Sequence, residues 1–405
     1  MGAGAWSNPR PMATYQRPLV DRLVKAVRRL PELIHIVTGP RQVGKTTIAR
    51  TLSDRWAGPK RYAAADELFP PNAEWIRNQW QLARRDAHAR PCLLILDEVQ
   101  KVRGWSEVVK SMWDADRREG HRVRVLLLGS SALLLAKGTS ESLAGRFLLH
   151  PCLHWSWIEC RDAFGWDLER WLFFGGYPGA AVLADDESTW RTYVRDALIE
   201  SVLARDVLSL QRVTKPALLR HLFAFACHFP AQSVSYSKML GQLQDAGNTT
   251  TLAHYLRLLE TAFLVTGLER FSAGQARSRG STPKLVVWNN ALVSAVNLQS
   301  FHAARHDSSW WGRLVENAVG AHLVNHLHGV SYEISWWREG RYEVDFVVRS
   351  GRRVTALEVK SGREAARAGL DAFVATHRKA RTFLIGPGGM PLSEFLSADP
   401  AEVLW

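Results

Sequence analysis

Continuous apolar runs alternate with helical patterns over the first 160 residues. Three of these runs, LIHIVTG (33–39), CLLILDE (92–98) and RVLLLGS (124–130), end in glycine or polar residues. Runs that are apolar at every position predict parallel strands with helices on both faces of the sheet. Ligands bind such sheets at the carboxyl ends of the strands. The pattern therefore predicts an α/β domain over residues 15–160, with its site where these strands end.

The pattern changes after residue 160. Helical spacing dominates residues 161–285, where GN before TTTLAHYLRLLE supplies a turn and an N-cap. This region resembles a winged helix. A helix that reads DNA presents basic side chains, but residues 233–271 hold as many acidic as basic side chains (Asp245, Glu260 and Glu269 against Lys238, Arg257 and Arg270). A structural connector is therefore favoured over a DNA reader. Mixed strands and helices predict a small α/β domain over residues 286–405, and residues 1–14 are expected to be disordered.

A phosphate-binding motif follows the first apolar run. GPRQVGKT matches G-x-x-x-x-G-K-[ST] and lies between a strand and the helical stretch TIARTLSDRW. Its glycines let backbone N–H groups close around phosphate oxygens, and the helix N-terminus adds partial positive charge. The motif predicts an ATP site, and its candidate binding residues are Gly39, Pro40, Arg41, Gln42, Val43, Gly44, Lys45, Thr46 and Thr47.

The ends of the other two apolar runs supply candidate catalytic groups. Asp97 ends CLLILD and, with the Thr46 hydroxyl, is predicted to bind Mg²⁺. Glu98 is placed to orient or deprotonate the attacking water. Ser130, or Ser131 beside it, is a candidate hydrogen-bond donor to the γ-phosphate or the water. Arg146 in SESLAGRF is a candidate to stabilise transition-state charge, in cis or in a neighbouring subunit.

A second candidate site lies in the hairpin EVDFVVRSGRRVTALEVK (343–360). A two-residue turn at Ser350–Gly351 places Asp345 opposite Ala356, and a three-residue turn places it opposite Leu357. Asp345 then lies within two positions of Glu358, which shares a strand face with Lys360. Two close carboxylates could bind a divalent metal, with Lys360 positioning water. Glu343 and Glu316 are further acidic candidates. A solvated, charged strand face is the alternative.

Several stretches taken together resemble a widespread prokaryotic family of AAA-type ATPases with a C-terminal domain of unknown function. They are GPRQVGKTT, LLILDEVQKV, LLLGSSALLL, ESLAGRF, YLRLLETAFLV, WGRLVENAV, EVDFVV and ALEVKSG. The resemblance implies ATP binding, hydrolysis and a C-terminal fold like that of restriction endonucleases. The chain departs from the family at Asn289 and Asn290, where an aspartate is usual after the strand KLVVW.

Charge and cysteine content indicate which partners and which cellular compartment to expect. Residues 1–160 hold 25 basic and 15 acidic side chains, against 27 and 24 in the remainder. Such a basic surface attracts polyanions without sequence preference. None of the four cysteines forms a CxxC pair, which predicts reduced thiols and a cytoplasmic protein. No apolar run approaches the roughly 18 residues of a membrane span.

Three functions fit these observations. The first is an Mg²⁺-dependent ATPase that drives or gates a conformational change. The second is an ATP-gated, metal-dependent nuclease that acts on DNA, and the third is a non-hydrolysing switch in which bound ATP holds a partner-binding state. The sequence leaves the protein partner and any homo-oligomer open.

Overall fold

A computed structural model describes residues 15–67, 72–129, 142–208, 213–243, 247–272, 282–362 and 367–405, with backbone alone at 205–206. Two sequence predictions therefore lie outside the described residues. They are the disordered start at residues 1–14 and the hydroxyl donor at Ser130 or Ser131.

The N-terminal region is a five-stranded parallel sheet with strand order β2-β3-β4-β1-β5. Its strands are β1 (Ile34–Thr38), β2 (Lys60–Ala64), β3 (Cys92–Asp97), β4 (Val123–Gly129) and β5 (Phe147–Pro151). The three apolar runs form β1, β3 and β4, so this part of the prediction is confirmed. The outer strands β2 and β5 carry charged or partly exposed residues and were not identified from the sequence.

Helices on both faces of this sheet explain the continuous apolar runs. The helices are α1 (Pro18–Arg29), α2 (Lys45–Asp54), α3 (Ala73–Asp86) and α4 (Trp105–Glu119), with short 3₁₀ turns at Ala65–Glu67 and Val99–Lys101. Val37 and Leu93 pack in the core beneath α1 and α2. Their neighbours Ile36 and Leu94 pack beneath α3 and α4. Alternate strand residues therefore enter two different cores, which explains why most positions of β1, β3 and β4 are apolar.

The middle region is a helical connector, as expected. Its helices are α5 (Trp157–Phe164), α6 (Leu168–Phe174), α7 (Pro178–Ala181), α8 (Glu187–Thr192), α9 (Pro216–His228), α10 (Tyr236–Gln242) and α11 (Thr249–Thr261), with π-helical turns at Tyr193–Glu200 and Val202–Leu208. An antiparallel ribbon, β6 (Val265–Leu268) with β7 (Lys284–Val287), follows. The predicted boundary at residue 285 falls within β7. The winged-helix interpretation stays a prediction.

The C-terminal region is a second sheet domain with strand order β11-β10-β9-β8. Its strands are β8 (Glu333–Glu339), β9 (Tyr342–Ser350), β10 (Arg353–Val359) and β11 (Arg381–Ile385). The helices that precede or pack with it are α12 (Asn290–Val296), α13 (Phe301–His306), α14 (Ser308–His326), α15 (Ala368–Thr376), α16 (Leu392–Ser397) and α17 (Pro400–Val403). One continuous apolar core joins α5–α14 to this sheet, so the connector and the C-terminal domain pack as one unit.

A glycine holds the connector against the start of α12. Gly175 has φ +66° and ψ −162°, a conformation open essentially to glycine alone. A Cβ added there would lie 2.0 Å from the Asn289 Oδ1 atom and 2.4 Å from the Ala291 nitrogen. The backbone and its neighbours therefore both require glycine.

We expect Gly175→Ala to lower the thermal unfolding midpoint by about 3 to 10 °C, because strain and clash both act. Gly165→Ala is the matched control, since Gly165 has φ +67° but no atom within 4 Å of an added Cβ. The control should shift the midpoint less, and equal shifts would contradict a role for the Asn289 contact.

Candidate functional site

The phosphate loop lies between the end of β1 and the start of α2. Gly39 passes so close to β5 that an added Cβ would lie 1.9 Å from the Cys152 carbonyl oxygen. Gln42 and Gly44 have positive φ values of 60° and 94°. These conformations close the loop over the first turn of α2, where backbone N–H groups have no partner within the helix. The loop has the geometry of a phosphate cradle.

Lys45 is buried at the base of this loop, with 7% of its surface exposed. Its Nζ donates to the Gly39 carbonyl at 3.0 Å and the Pro40 carbonyl at 2.5 Å. Burial lowers the pKa of Lys45, and the Glu98 and Asp97 carboxylates oppose that shift. The Lys45 Nζ atom therefore lies directly beside the cradle.

Asp97 and Thr46 meet at the mouth of the loop, as the sequence predicts. The Thr46 hydroxyl donates to Asp97 Oδ2 at 2.9 Å, and the Tyr62 hydroxyl donates to the same oxygen at 2.5 Å. Burial and this hydrogen bond raise the pKa of Tyr62. Hydroxyl and carboxylate oxygens are the ligands that Mg²⁺ prefers, so Thr46 and Asp97 fit this ion. Tyr62 was not found from the sequence, because β2 has no continuous apolar run.

Glu98 sits in a strained conformation directly after β3. Its φ of 52° is left-handed, which is uncommon for a non-glycine residue. The Glu98 backbone N–H donates to Asp97 Oδ1 at 2.8 Å, and Gln100 Nε2 donates to Glu98 Oε2 at 2.6 Å. The conformation and the Gln100 contact hold the carboxylate beside Asp97, at the same sheet edge as the loop.

Arg146 lies at the amino ends of the strands, at the opposite end of β1 from the phosphate loop. It precedes β5, and its carbonyl accepts from the N–H of Ile34 at the start of β1. The five residues of β1 then separate it from Gly39, a span of roughly 16 Å at about 3.3 Å per residue. Its side chain pairs with Asp114 at 3.2 Å and lies over the Trp113 ring. This position argues against a role in cis, and a role in a neighbouring subunit stays a prediction.

The other predicted binding residues lie between Gly39 and the first turn of α2. Pro40 and Arg41 continue from Gly39, and Thr47 lies in the first turn of α2. The Thr47 carbonyl accepts from the Thr51 hydroxyl at 2.9 Å. Direct nucleotide contacts by Arg41 and Thr47 stay predictions.

The Val43 carbonyl in the loop is bonded from outside the sheet. Trp155 Nε1 donates to it at 3.0 Å and Arg17 Nη1 at 3.2 Å. Arg17 also pairs with Glu159 at 2.6 Å and donates to the Leu153 carbonyl at 3.2 Å. The loop is therefore tied to the segment that leads into α5. Neither donor is part of a sequence motif, and both were missed.

Asn289 connects that same segment to the end of β7. Its Nδ2 lies 3.1 Å from His154 Nδ1, while its Oδ1 accepts from the Gly176 and Ala291 N–H groups at 3.1 and 3.0 Å. Asn290 Nδ2 donates to the carbonyls of Leu172 and Leu314. Both amides are buried. In the resembled family an aspartate is usual here. In this chain Asn289 caps α12 and Asn290 makes packing contacts, and neither residue supplies a carboxylate.

The C-terminal hairpin has a different register from either predicted one. Ser350 pairs with Arg353 and Phe346 pairs with Leu357, so the turn is Gly351–Arg352. The predicted register is wrong by one or two positions, because both predicted turns include Ser350, which remains in the strand. Asp345 and Glu358 are the next positions on the two strands, closer than either turn predicted.

Asp345 and Glu358 are each engaged within the protein. Asp345 Oδ2 accepts from the Val359 N–H at 2.8 Å, and Glu358 Oε1 pairs with Lys360 Nζ at 2.7 Å. The local ion pair with Lys360 is therefore present. Across the described ranges, no group of three or more His, Cys, Asp and Glu side chains is arranged to hold a metal ion.

Lys284, which the sequence analysis did not identify as a site residue, lies among three carboxylates. Lys284, the first residue of β7, pairs with Glu316 at 2.5 Å, Asp345 at 3.4 Å and Glu343 at 3.8 Å. Burial disfavours its charged form, but the three carboxylates outweigh burial and raise the pKa of Lys284. Burial and the charge of Asp345 raise the pKa of Glu316 to about 8. We take Lys284 to be the charged partner, because three acidic groups surround it.

Comparison with known proteins agrees with the phosphate-loop geometry. Residues 32–160 match a family model described as an AAA domain. This part of the chain is an AAA-type, ATP-binding P-loop domain. Residues 165–302 and 311–394 match two models described as domains of unknown function, DUF8612 and DUF4143. The restriction-endonuclease-like fold stays a prediction.

Two curated relatives cover nearly the whole chain. They are uncharacterized proteins of Mycobacterium tuberculosis and Mycobacterium bovis, each 27% identical over 403 residues, covering 96% of this chain and 85% of the relative. Among solved structures, the Walker-type ATPase PABY2304 of Pyrococcus abyssi is 14% identical with a TM-score of 0.46, covering 70% of this chain and 95% of that one. A katanin chain is 25% identical with a TM-score of 0.24, covering 33% and 46%.

Within the described residues, no helix is long and apolar enough to cross a membrane.

Proposed function

We propose that this protein is an Mg²⁺-dependent ATPase whose nucleotide state controls contacts between the AAA domain and the rest of the chain. The observation that carries the proposal is the pairing of Thr46 with Asp97 at 2.9 Å beside the phosphate loop, with Glu98 next in sequence. When bound, Mg²⁺ would neutralise phosphate charge and favour attack at the γ-phosphate. Thr46 and Asp97 are the residues that would hold it.

Each protein side chain has a separate task in this proposal. Lys45 offsets negative charge on the β- and γ-phosphates from a buried position, where charge interactions are stronger than in water. Glu98 orients the attacking water and accepts its proton. Gln100 holds one oxygen of Glu98 by a hydrogen bond of 2.6 Å. Tyr62 holds the Asp97 carboxylate in place.

Turnover tests hydrolysis against the non-hydrolysing alternative. We expect phosphate release from ATP with Mg²⁺ and its loss when EDTA removes the metal, with activity restored by added Mg²⁺. A protein that binds ATP with Mg²⁺ but releases no phosphate would support the switch and contradict the ATPase. Nucleotide binding measured on the same sample distinguishes that result from an inactive preparation.

The route for the conformational signal begins at the Val43 carbonyl. Trp155 donates to this oxygen, and the adjacent His154 contacts Asn289 Nδ2 and the Phe263 carbonyl. Asn289 lies just beyond β7. A shift of the loop on nucleotide binding would therefore act on residues 153–155 and, through His154, on the ribbon. This chain of contacts supports a gating role for ATP.

We expect Trp155→Phe to weaken this coupling while leaving ATP binding nearly unchanged, because it removes the N–H donor and keeps an aromatic ring. Hydrogen exchange of residues 284–288 should differ between apo and ATP-bound wild type, and less so in the variant. Trp113→Phe is the matched control, because it makes the same substitution beside Arg146, away from the phosphate loop. The gating role is wrong if exchange in residues 284–288 ignores nucleotide in the wild type.

The described thiols bear on location. Cys92, Cys152, Cys160 and Cys227 are all free and buried. Reduced thiols are usual in the cytosol, which supports our proposal that the protein works in the cytoplasm.

A further inference from the structure

Lys284 carries a buried ammonium that pairs with Glu316, Asp345 and Glu343. Glu358 follows Leu357, the partner of Phe346 in the hairpin, and so lies across from Asp345. We call Glu316, Asp345 and Glu358, with Glu343 beside them, the carboxylate cluster. Only 1% of Lys284 is exposed, and its Nζ lies 2.5 Å from Glu316 and 3.4 Å from Asp345. A charge removed from water is costly unless opposite charges surround it. Equally, these carboxylates would repel one another without a cation between them. The lysine and the cluster therefore stabilise each other.

Glu358 gives a second, independent indication of a cation site. It is 6% exposed, and its Oε1 pairs with Lys360. Its Oε2 is buried beside Gly369 and has no hydrogen-bond partner among the described residues. A buried carboxylate oxygen without a donor is unfavourable. The cluster therefore has acceptor capacity that its two lysines leave unfilled.

Four structural elements converge on this cluster. Glu316 comes from α14, Asp345 from β9, Glu358 from β10 and Lys284 from β7. The first three supply carboxylate oxygens, the donors that suit Mg²⁺ and Mn²⁺. The fourth supplies a cation that is tethered to the connector ribbon, outside the C-terminal sheet. A divalent ion and the Lys284 ammonium would repel each other at the same oxygens.

We propose that the Lys284 ammonium is the cation of this carboxylate cluster, and that it keeps Glu316, Asp345 and Glu358 from binding a divalent metal while β7 holds its described place. The proposal does not depend on ATP hydrolysis. It also sets a condition on the predicted DNA cleavage: metal-activated water at these carboxylates requires Lys284 to leave first.

The test uses Mn²⁺ alone with the full-length chain and no nucleotide, so the phosphate loop contributes equally to every sample. We expect Lys284→Met to bind one more Mn²⁺ per chain than wild type in equilibrium dialysis, with the gain lost in Lys284→Met/Asp345→Asn. Lys284→Arg is the matched control, because it keeps the cation, and should bind as wild type does. Asp345→Asn alone should leave wild-type Mn²⁺ binding unchanged.

Stability gives a second readout, which remains usable if the variant is folded but less stable than wild type. Without its counter-ion the cluster should destabilise Lys284→Met, and Mn²⁺ should raise the unfolding midpoint of this variant but not that of wild type or Lys284→Arg. Two outcomes overturn the proposal. One is wild-type Mn²⁺ binding that Asp345→Asn removes. The other is Lys284→Met that gains neither bound Mn²⁺ nor stability from it.

Discussion

Lys45→Ala should weaken ATP binding by about tenfold to more than a hundredfold, because each charge-assisted hydrogen bond contributes about 1.5–3 kcal/mol. The ammonium is buried beside the loop and is already aligned by the Gly39 and Pro40 carbonyls. Its loss removes the cation that faces the β- and γ-phosphates. Isothermal titration of ATP with Mg²⁺ measures the effect directly.

A matched control is available on the neighbouring helix. Lys25 is exposed on α1, so Lys25→Ala removes one positive charge from the same domain without touching the loop. We expect its ATP affinity to stay near that of wild type. If both variants bind ATP as wild type does, with unchanged circular dichroism, the phosphate-loop assignment fails. Equal weakening in both would indicate a general charge effect.

Glu98→Gln should bind ATP with nearly wild-type affinity and hydrolyse it at least about 100-fold more slowly, since a positioned general base typically contributes 10²–10⁴-fold. The amide keeps the shape of the side chain and its contact with Gln100, but it cannot accept the proton of water. Single-turnover phosphate release, measured at saturating ATP and Mg²⁺, separates this step from binding.

Glu74→Gln serves as the control for Glu98. Glu74 is exposed in the first turn of α3, where it pairs with Arg77, and Glu74→Gln should leave turnover unchanged. Wild-type turnover by Glu98→Gln would mean that another group accepts the proton. A loss of ATP binding in Glu98→Gln would instead indicate that the residue shapes the loop.

The sequence was sufficient to predict β1, β3, β4 and the phosphate-loop motif, because the information for these features is local. Continuous apolar runs predict the strands β1, β3 and β4. The motif from Gly39 to Thr46 joins β1 to the helix α2. Parallel strands bring their carboxyl ends together whatever the connections are. Strand polarity therefore places Asp97 and Thr46 at the same end of the sheet, and the order β3-β4-β1 brings them close.

The hairpin marks the limit of local information. Its existence and the closeness of Asp345 to Glu358 followed from alternation, but the register required knowing whether Ser350 belongs to the strand or the turn. β9 pairs with β8 as far as Arg349 and with β10 as far as Ser350. Neighbouring strands, not the turn residues, decide this choice.

Only the tertiary structure decided which distant residues act on each site. Lys284 and Asp345 are 61 positions apart, Tyr62 and Asp97 are 35 apart, and Trp155 and Val43 are 112 apart. No spacing rule links such pairs, because their contact depends on how sheets and helices pack. The sequence by itself determined the nucleotide-binding chemistry and the strands that carry it. Packing decided that Arg146 faces away from its own loop and that a lysine from the ribbon is buried among the C-terminal carboxylates, since a buried charge can persist only where other elements supply its partners.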